Sequence, residues 1–362
     1  MFERLKINSK LWKELDLVML ITTILIVCYG IVSIYSVVGV DFAQKQFTWL
    51  IISLMAIYGI IIFDYRILSN YAGTFYWFTI FLLVLNEFMG SVVNGAKGWI
   101  KLGPVSIQPA EFAKLGLIIM LAKKLDDMEG DINNPKNFFT LIFYAAIPML
   151  LIVKQPDMGM TMVCFFIILG IFFIAGLNSK VIISGLVAVV LMISIVWSVM
   201  PTYWRGRLSS FINPEQSGQY GYQAVQSKTA IGSGQLTGTG FLKGKQLKFV
   251  PESHTDCIIS VIGEQWGFIG VVALLLLYGI ILYRMIKIAA TSKDIFGSII
   301  VSGLVSYFLF AILQNIGMNL SIMPVTGITL PLVSYGGSSL LTNFMAIALV
   351  LNIGMRRKKI NF

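Results

Sequence analysis

Long apolar runs alternate with short polar segments along almost the whole chain. Most runs approach or exceed the roughly 20 residues that an α-helix needs to cross a ~30 Å hydrocarbon layer. The ten runs cover residues 15–38, 46–63, 71–90, 109–122, 138–153, 158–175, 181–199, 258–283, 295–318 and 338–354. The pattern predicts an all-α polytopic membrane protein with about ten transmembrane helices, which form a single domain over residues 1–362.

The longest polar interval, residues 201–256, separates the seventh run from the eighth. Lysine and arginine concentrate on the cytoplasmic side of membrane proteins, and this bias orients the bundle. With the amino terminus inside, the inner segments hold sixteen basic side chains and the short outer loops hold four. We therefore expect both termini in the cytoplasm and the large 201–256 loop outside, folded against the extracytoplasmic face.

Composition agrees with a membrane protein and excludes other classes. Of the 362 residues, 57% are hydrophobic and 12% are charged, whereas about 25% are charged in ordinary soluble domains. The net charge of +10 does not indicate nucleic-acid binding, because the basic residues flank apolar runs and form no patch. Cys28, Cys164 and Cys257 are scattered, so neither a disulfide framework nor a metal cluster is predicted.

Glu111 and Lys114 are charged residues inside the fourth run. They are three residues apart and lie on one helix face, and Pro109 suits the first turn of that helix. A charge at the centre of a membrane span costs about 2.5–3.5 kcal/mol even on the gentlest scale. The two residues either neutralise each other as an ion pair or form a charged wall of a polar cavity, and both interpretations can hold.

Two further polar segments adjoin predicted spans. Asp157 directly precedes the sixth run, where it is placed to cap the helix or to contact a ligand or ion. Residues 324–339 contain two prolines and three glycines, which exclude a continuous helix. With Ser334 and Ser338, this segment is either a re-entrant turn that packs helices or a set of successive amides that binds an anion.

Residues 251–256 have the sequence PESHTD and end the large loop where the eighth run begins. Asp256 either caps the next helix or places a carboxylate at the membrane surface for chemistry on a lipid-borne substrate. His254 is the only histidine, so a zinc site is not expected, and we interpret it as orienting its neighbours or contacting substrate. The glycine-rich residues 232–240 lack the strand–turn–helix setting of a dinucleotide loop and are interpreted as flexible backbone near a bulky substrate.

Several motifs, in order along the chain, resemble the SEDS family (shape, elongation, division and sporulation) of bacterial membrane proteins. They are residues 108–114, 155–159, 221–223 with 226–227, 231–234, 249–256 with 263–264, and 317–339. Residues 315–318 are most similar to the RodA branch. Gly98 stands before Trp99 where the family often has arginine, and Lys97 is a candidate substitute for that arginine.

The resemblance implies a peptidoglycan glycosyltransferase that joins lipid II into glycan strands on the outer face of the bacterial plasma membrane, for cell-wall elongation and rod shape. It implies lipid II, the nascent glycan strand, a class B penicillin-binding protein, the elongation machinery and membrane lipids as partners. Asp256 matches the family's essential aspartate. We interpret it as the general base on the GlcNAc 4-hydroxyl of the acceptor, with undecaprenyl diphosphate leaving.

Cations are expected to face the diphosphate, with a divalent Mg²⁺ or Mn²⁺ as a further source of charge, although the sequence shows no ligand set for a metal. The candidate substrate-binding or cavity residues are Glu111, Lys114, Lys97, Asp157, Arg205, Arg207, His254, Glu252, Ser334 and Ser338.

A lipid II flippase or transporter is the alternative function, because Glu111 and Lys114 could move a charged headgroup. That function does not require an outer-face Asp256. A scaffold without activity would not explain polar residues buried at such cost.

Overall fold

A computed structural model describes residues 12–93, 96–103, 105–196, 202–212 and 218–357. Twelve α-helices are present in these ranges. They are α1 (Leu17–Val38), α2 (Val40–Ile62), α3 (Tyr65–Met89), α4 (Pro109–Asp127), α5 (Pro135–Lys154), α6 (Met158–Ile174), α7 (Ser179–Val196), α8 (Thr202–Ile212), α9 (Gly218–Ser233), α10 (Ile258–Ala290), α11 (Ile295–Asn319) and α12 (Gly337–Met355). Each of the ten predicted runs coincides with one of these helices. Residues 197–199 of the seventh run lie outside the described ranges.

The chain is a helical, multi-pass membrane protein. Seven helices, namely α1, α2, α3, α5, α10, α11 and α12, are long and apolar enough to cross a bilayer. Helix α6 and the first part of α7, Ser179–Ala188, are shorter apolar helices. Helix α4 carries charged residues in both halves. The figure of about ten membrane crossings and the inside–outside orientation stay predictions.

Acidic and amide side chains fix where many helices begin. Asp64, Asn134, Asp157 and Asp294 precede α3, α5, α6 and α11, and each side chain accepts a hydrogen bond from a main-chain amide in the first turn. These bonds satisfy donors that a helix leaves unpaired at its start. The predicted cap at Asp157 is therefore present.

A small antiparallel sheet interrupts the all-helical pattern between α3 and α4. Its strands β1 (Ser91–Val93), β2 (Ala96–Leu102) and β3 (Val105–Ile107) lie in the order β1-β2-β3. Trp99 pairs with Ser91, and Ile100 pairs with Ile107. The fold-class prediction contained no strands, because three strands of this length give no periodic signal that can be separated from a loop.

The predicted 201–256 loop contains regular structure. It includes α8, α9 and a 3₁₀ turn at Gln246–Phe249. The carboxylate of Glu264, in α10, accepts hydrogen bonds from the amides of Lys245, Gln246 and Leu247 at 2.6–2.9 Å. This buried carboxylate anchors the loop to the start of α10.

The interpretation of residues 232–240 as flexible backbone near substrate is wrong. The chain makes a sharp break in α10 at Gly267, which has φ +64°. Residues 235–240 exchange main-chain hydrogen bonds with this break, including Phe268 to Gln235 at 2.8 Å. A Cβ atom on Gly234 or Gly238 would overlap the α10 backbone. These glycines therefore serve close packing.

Helices α11 and α12 form the centre of the bundle. In the most apolar stretch of each, 72% of α11 residues and 89% of α12 residues are buried, against 22% in α5. Helix α12 packs against α2, and α11 packs against α4, α6 and α10. The irregular segment 320–336, between α11 and α12, lies against the residues that precede α10.

Candidate active site

A cavity of about 630 Å³ lies where the PESHTD segment meets the irregular segment 320–336. Its walls come from α2, β2, α4, α6, α8 and α11 and from the first turn of α12. The predicted site residues that line it are Glu111, Lys114, Asp157, Arg207, Glu252, His254 and Asp256. Residues that are distant in the sequence therefore share one cavity.

The deep end of the cavity is built around the pair Glu111–Lys114. Lys114 Nζ lies 2.5 Å from Glu111 Oε2, and both side chains are almost completely buried. Thr342 Oγ1 donates to the same carboxylate at 2.8 Å, and Lys114 Nζ stands 3.8 Å from the Tyr307 ring centroid. Both interpretations of the pair apply, because it neutralises itself and also lines the cavity.

The outer end of the cavity brings Asp256 close to Arg207. Both approach Gly327, which has φ +75°. A Cβ atom built on Gly327 would stand 3.2 Å from Arg207 Nη1 and 3.3 Å from Asp256 Oδ2. Glycine is favoured here for two reasons: left-handed backbone disfavours other residues, and a Cβ atom would press on both charged groups.

Two asparagines of α11 hold the main chain at Asp256. The side-chain amides of Asn315 and Asn319 both donate to the Asp256 carbonyl oxygen, at 2.9 and 3.0 Å. Asn315 also donates to the Ile328 carbonyl oxygen at 2.7 Å. Asn315 therefore ties the Asp256 segment to the irregular segment that contains Gly327.

The carbonyl groups of His254 and Thr255, which precede Asp256, are bonded by residues of the irregular segment 320–336. The Tyr335 amide donates to the His254 carbonyl oxygen at 2.9 Å. Ser334 Oγ donates to the Thr255 carbonyl oxygen at 2.6 Å and accepts from the Leu330 amide at 2.8 Å. Three consecutive carbonyl groups are thus bonded to protein donors, so the main chain that carries the Asp256 side chain has a defined position.

The electrostatic environment of Asp256 favours proton exchange near neutral pH. The pKa of Asp256 is raised to about 7: burial is the largest cause, the Glu252 and Asp157 carboxylates also raise it, and Arg207 lowers it. Burial lowers the pKa of His254, opposed by Glu252. Asp256 is therefore near its midpoint at physiological pH, which suits a group that accepts a proton during a reaction.

Asp157 serves two purposes at the cavity wall. Its Oδ1 accepts from the Met160 amide at 2.9 Å, and its Oδ2 accepts from Gln108 Nε2 at 3.1 Å. Burial raises the pKa of Asp157, while these hydrogen bonds and Arg207 lower it. The side chain caps α6 and also faces the cavity.

The chain resembles a known family over almost its whole length. The family model of the FtsW, RodA and SpoVE cell cycle proteins matches residues 11–359. This chain belongs to the FtsW/RodA/SpoVE family.

Curated relatives and solved structures agree with that assignment. The peptidoglycan glycosyltransferase MrdB of Escherichia coli K12 is 34% identical over 356 residues, which cover 96% of this chain and 95% of the relative. The stage V sporulation protein E of Bacillus subtilis is 34% identical over 357 residues, which cover 93% of this chain and 96% of the relative.

Two solved structures share the fold of this FtsW/RodA/SpoVE-family protein. A chain from a peptidoglycan synthase complex that coordinates polymerization and crosslinking superimposes with a TM-score of 0.85 at 31% identity, covering 95% of this chain and 98% of that chain. The rod shape determining protein RodA of Thermus thermophilus gives 0.74 at 30% identity, covering 95% of this chain and 98% of that chain.

Two of the predicted substrate-binding or cavity residues, Lys97 and Arg205, are not part of the cavity wall. Lys97 Nζ donates to the Glu87 carbonyl oxygen at 2.5 Å, near the end of α3. Arg205 is two positions from Arg207 on α8 and therefore projects toward a different side of the helix. Neither Lys97 nor Arg205 is among the residues that line the cavity with Asp256.

Ser334 and Ser338 do not line the cavity either, although Ser339 does. The amides of residues 333–336 are bonded to protein acceptors: those of Val333 and Ser334 to Leu330, that of Tyr335 to His254, and that of Gly336 to Gln46 Oε1. This arrangement supports the packing interpretation of the 324–339 segment and leaves these four amides unavailable to an anion.

A divalent cation was one expectation for the site. Among the described residues, no group of three or more histidine, cysteine, aspartate or glutamate side chains could hold a metal ion. We therefore assign no step of the chemistry to a metal.

Gly327, Asn315 and Asn319 were not predicted from the sequence as site residues. The two asparagines are four residues apart at the end of a mostly apolar run, so they share one helix face. Polar residues at such positions within a membrane span indicate functional or structural hydrogen bonds, and this signal was available in the sequence.

Proposed function

We propose that this protein polymerises lipid II into glycan strands on the outer face of the bacterial plasma membrane, in cell-wall elongation and rod-shape maintenance. Its class as a glycosyltransferase follows from full-length curated relatives that carry the name peptidoglycan glycosyltransferase. The observation that carries the chemical proposal is Asp256, with a pKa of about 7, close to Arg207 in one cavity.

In the proposed reaction, Asp256 takes the proton from the GlcNAc 4-hydroxyl of the acceptor lipid II. The resulting oxygen nucleophile attacks the anomeric carbon of the lipid-linked donor strand with inversion. A glycosidic bond forms, the bond between that carbon and the diphosphate breaks, and undecaprenyl diphosphate leaves with the electron pair. General-base assistance of this kind typically contributes about 10²–10⁴-fold in rate.

Arg207 is the best-placed cation for the leaving diphosphate, because it lines the cavity beside Asp256. A guanidinium group matches phosphate oxygens through paired hydrogen bonds. Lys114 adds positive charge deeper in the cavity, but its ammonium is already paired with Glu111. We assign Glu111 and Lys114 to shaping the cavity and Arg207 to the diphosphate.

The proposed orientation places both termini in the cytoplasm and the 201–256 segment outside, because basic residues concentrate in the segments assigned to the inside. A class B penicillin-binding protein is the proposed partner. It is supported by the similarity to a chain of a peptidoglycan synthase complex that joins polymerization to crosslinking. The partner transpeptidase would crosslink the strand that this protein makes.

Transport of lipid II is the second candidate, favoured by a charged pair that is buried inside the helix bundle. The test uses labelled lipid II, purified protein with its partner transpeptidase, and vesicles for a flipping assay. We expect glycan strands from the wild type and none from Asp256→Ala. Movement of lipid II across vesicles without polymer, unchanged in Asp256→Ala, would replace the transferase proposal by transport.

A further inference from the structure

One face of α2 lines the cavity over two helical turns. The four residues are Lys45, Thr48, Trp49 and Ile52, and we call them the α2 stripe. Their spacing of three, four and seven residues places them on one side of the helix. Lys45 lies nearest the start of α2, and Ile52 lies two turns further along the helix. The stripe therefore changes from a cation through polar and aromatic side chains to an aliphatic one.

Polymerisation brings two lipid-linked diphosphates to a single aspartate, one on the acceptor and one on the donor. Arg207 stands beside Asp256 and serves one of them in the proposed function. From the α2 stripe, we propose a second subsite in which Lys45 binds a diphosphate and Trp49 and Ile52 guide the first isoprenoid units into the bilayer. This inference rests on the proposed function for its substrate class.

The side of α2 that faces the cavity is fixed by hydrogen bonds. Gln46 Nε2 donates to the Ser334 carbonyl oxygen at 3.1 Å, and Gln46 Oε1 accepts from the Gly336 amide at 3.2 Å. Gln46 is buried, and it bonds to both a donor and an acceptor of the irregular segment. Rotation of α2 would break both bonds, so the stripe is held toward the cavity.

Trp49 is fixed against the backbone of Gly337. A Cβ atom on Gly337 would overlap the indole ring, so a side chain at this position would displace the ring. The ring also belongs to the cavity wall. A fixed aromatic surface suits the first isoprenoid units, because aromatic side chains bury large apolar areas at the boundary between water and lipid.

The Ile52 end of the α2 stripe is continuous with the exposed surface of the helix bundle. Ile52 lines the cavity and is also 41% exposed. Met55, three residues further along α2, is 66% exposed. These apolar side chains lie on a helix that is apolar and long enough to cross a membrane. An isoprenoid tail that follows the α2 stripe would therefore enter the hydrocarbon layer.

Lys45 lies close to the PESHTD segment. Its ammonium is 5.5 Å from the Phe42 ring centroid, and the Phe42 ring is 5.3 Å from His254 and 5.0 Å from Tyr335. A diphosphate at Lys45 would therefore stand near the segment that carries Asp256. A lysine binds phosphate oxygens through charge-assisted hydrogen bonds.

The experiment measures binding of undecaprenyl diphosphate to full-length protein in nanodiscs, in an Asp256→Asn, Arg207→Gln background that blocks turnover and removes the cation assigned to the other diphosphate. We expect Lys45→Gln to weaken binding about tenfold, the loss of one charge-assisted hydrogen bond, and Lys45→Arg to restore it. Ile52→Ser should weaken the binding of undecaprenyl diphosphate without changing how strongly inorganic diphosphate competes. Lys101→Gln is the matched control, because Lys101 is an exposed lysine outside the cavity wall.

Equal affinity for Lys45→Gln and the parent protein, with unchanged thermal unfolding, would overturn the subsite. Competition by inorganic diphosphate as strong as by undecaprenyl diphosphate would reduce it to a bare anion site and overturn the isoprenoid track. Polymerisation by the wild type is measured separately. If binding depends on Lys45 but the wild type makes no polymer, the proposed function fails and the subsite stands.

Discussion

The two ends of the cavity are built in opposite ways. At the deep end, Glu111 and Lys114 lie on a regular helix and satisfy each other's charge. At the outer end, Asp256 lies on irregular backbone, and its main chain is held by Asn315 and Asn319. A buried pair whose charges are mutually satisfied stabilises a shape. A carboxylate fixed through its main chain keeps its side chain available for chemistry.

The largest effect should come from breaking the deep pair. Lys114→Met leaves the Glu111 carboxylate buried without its cation, which costs about 3–5 kcal/mol in unfolding free energy. Lys123→Met is the control on the same helix, because the Lys123–Asp127 pair is partly exposed and such pairs contribute about 0–1 kcal/mol. Unfolding in detergent measures both variants. Equal stability of the two would show that the deep pair is not structural.

The next effect concerns the glycine between the two charged groups of the outer end. Gly327→Ala should lower kcat about a hundredfold, which corresponds to about 2.7 kcal/mol, because the added methyl group presses on Arg207 and Asp256. Gly176→Ala is the control for backbone strain, since Gly176 has φ +80° with nothing within 4 Å of its Cβ position. Similar kcat losses in both variants would assign the effect to strain alone.

A smaller difference should separate the two asparagines. Both donate to the Asp256 carbonyl oxygen, but Asn315 also holds Ile328. We expect Asn315→Ala to lower kcat about tenfold, roughly 1.4 kcal/mol, with KM almost unchanged, and Asn319→Ala to have less effect. Steady-state kinetics on lipid II test this order. A greater loss for Asn319→Ala would contradict the role of the Ile328 bond.

The smallest expected effect is a shift in pH dependence. Glu252 raises the pKa of Asp256 and Arg207 lowers it. Because the base acts when deprotonated, Glu252→Gln should move the rising limb of kcat/KM to lower pH, and Arg207→Gln should move it to higher pH. The pH dependence of kcat/KM for both variants provides the check. Shifts in the same direction would show that these charges do not act on Asp256.

The helices could be predicted from the sequence better than the connections between them. Each apolar run is a helix because burial and length in a membrane leave few alternatives. Helices α8 and α9 were missed because polar residues and glycines are as frequent in both as in a loop. The sheet at residues 91–107 was missed because its strands are short, and these segments are fixed by contacts with the bundle.

The site was predicted in part, for a similar reason. Asp256, Arg207, Glu111 and Lys114 are charged residues at unusual positions, so they stood out in the sequence, and they share one cavity. Lys97 stood out equally but is bonded to the end of α3. Charge in a sequence shows that a group needs a partner, whereas only the folded chain shows which partner it has.

The role of Asp256 as the base is tested most directly by the pH dependence of lipid II polymerisation, for wild type and Asp256→Asn, each purified with its partner transpeptidase. We predict a wild-type rate that rises with pH through a midpoint near 7, the pKa of Asp256. The rate for Asp256→Asn should be at least about 10²-fold lower and should lack that rising limb. A folded Asp256→Asn protein with the wild-type rate and the same rising limb would show that another group accepts the proton.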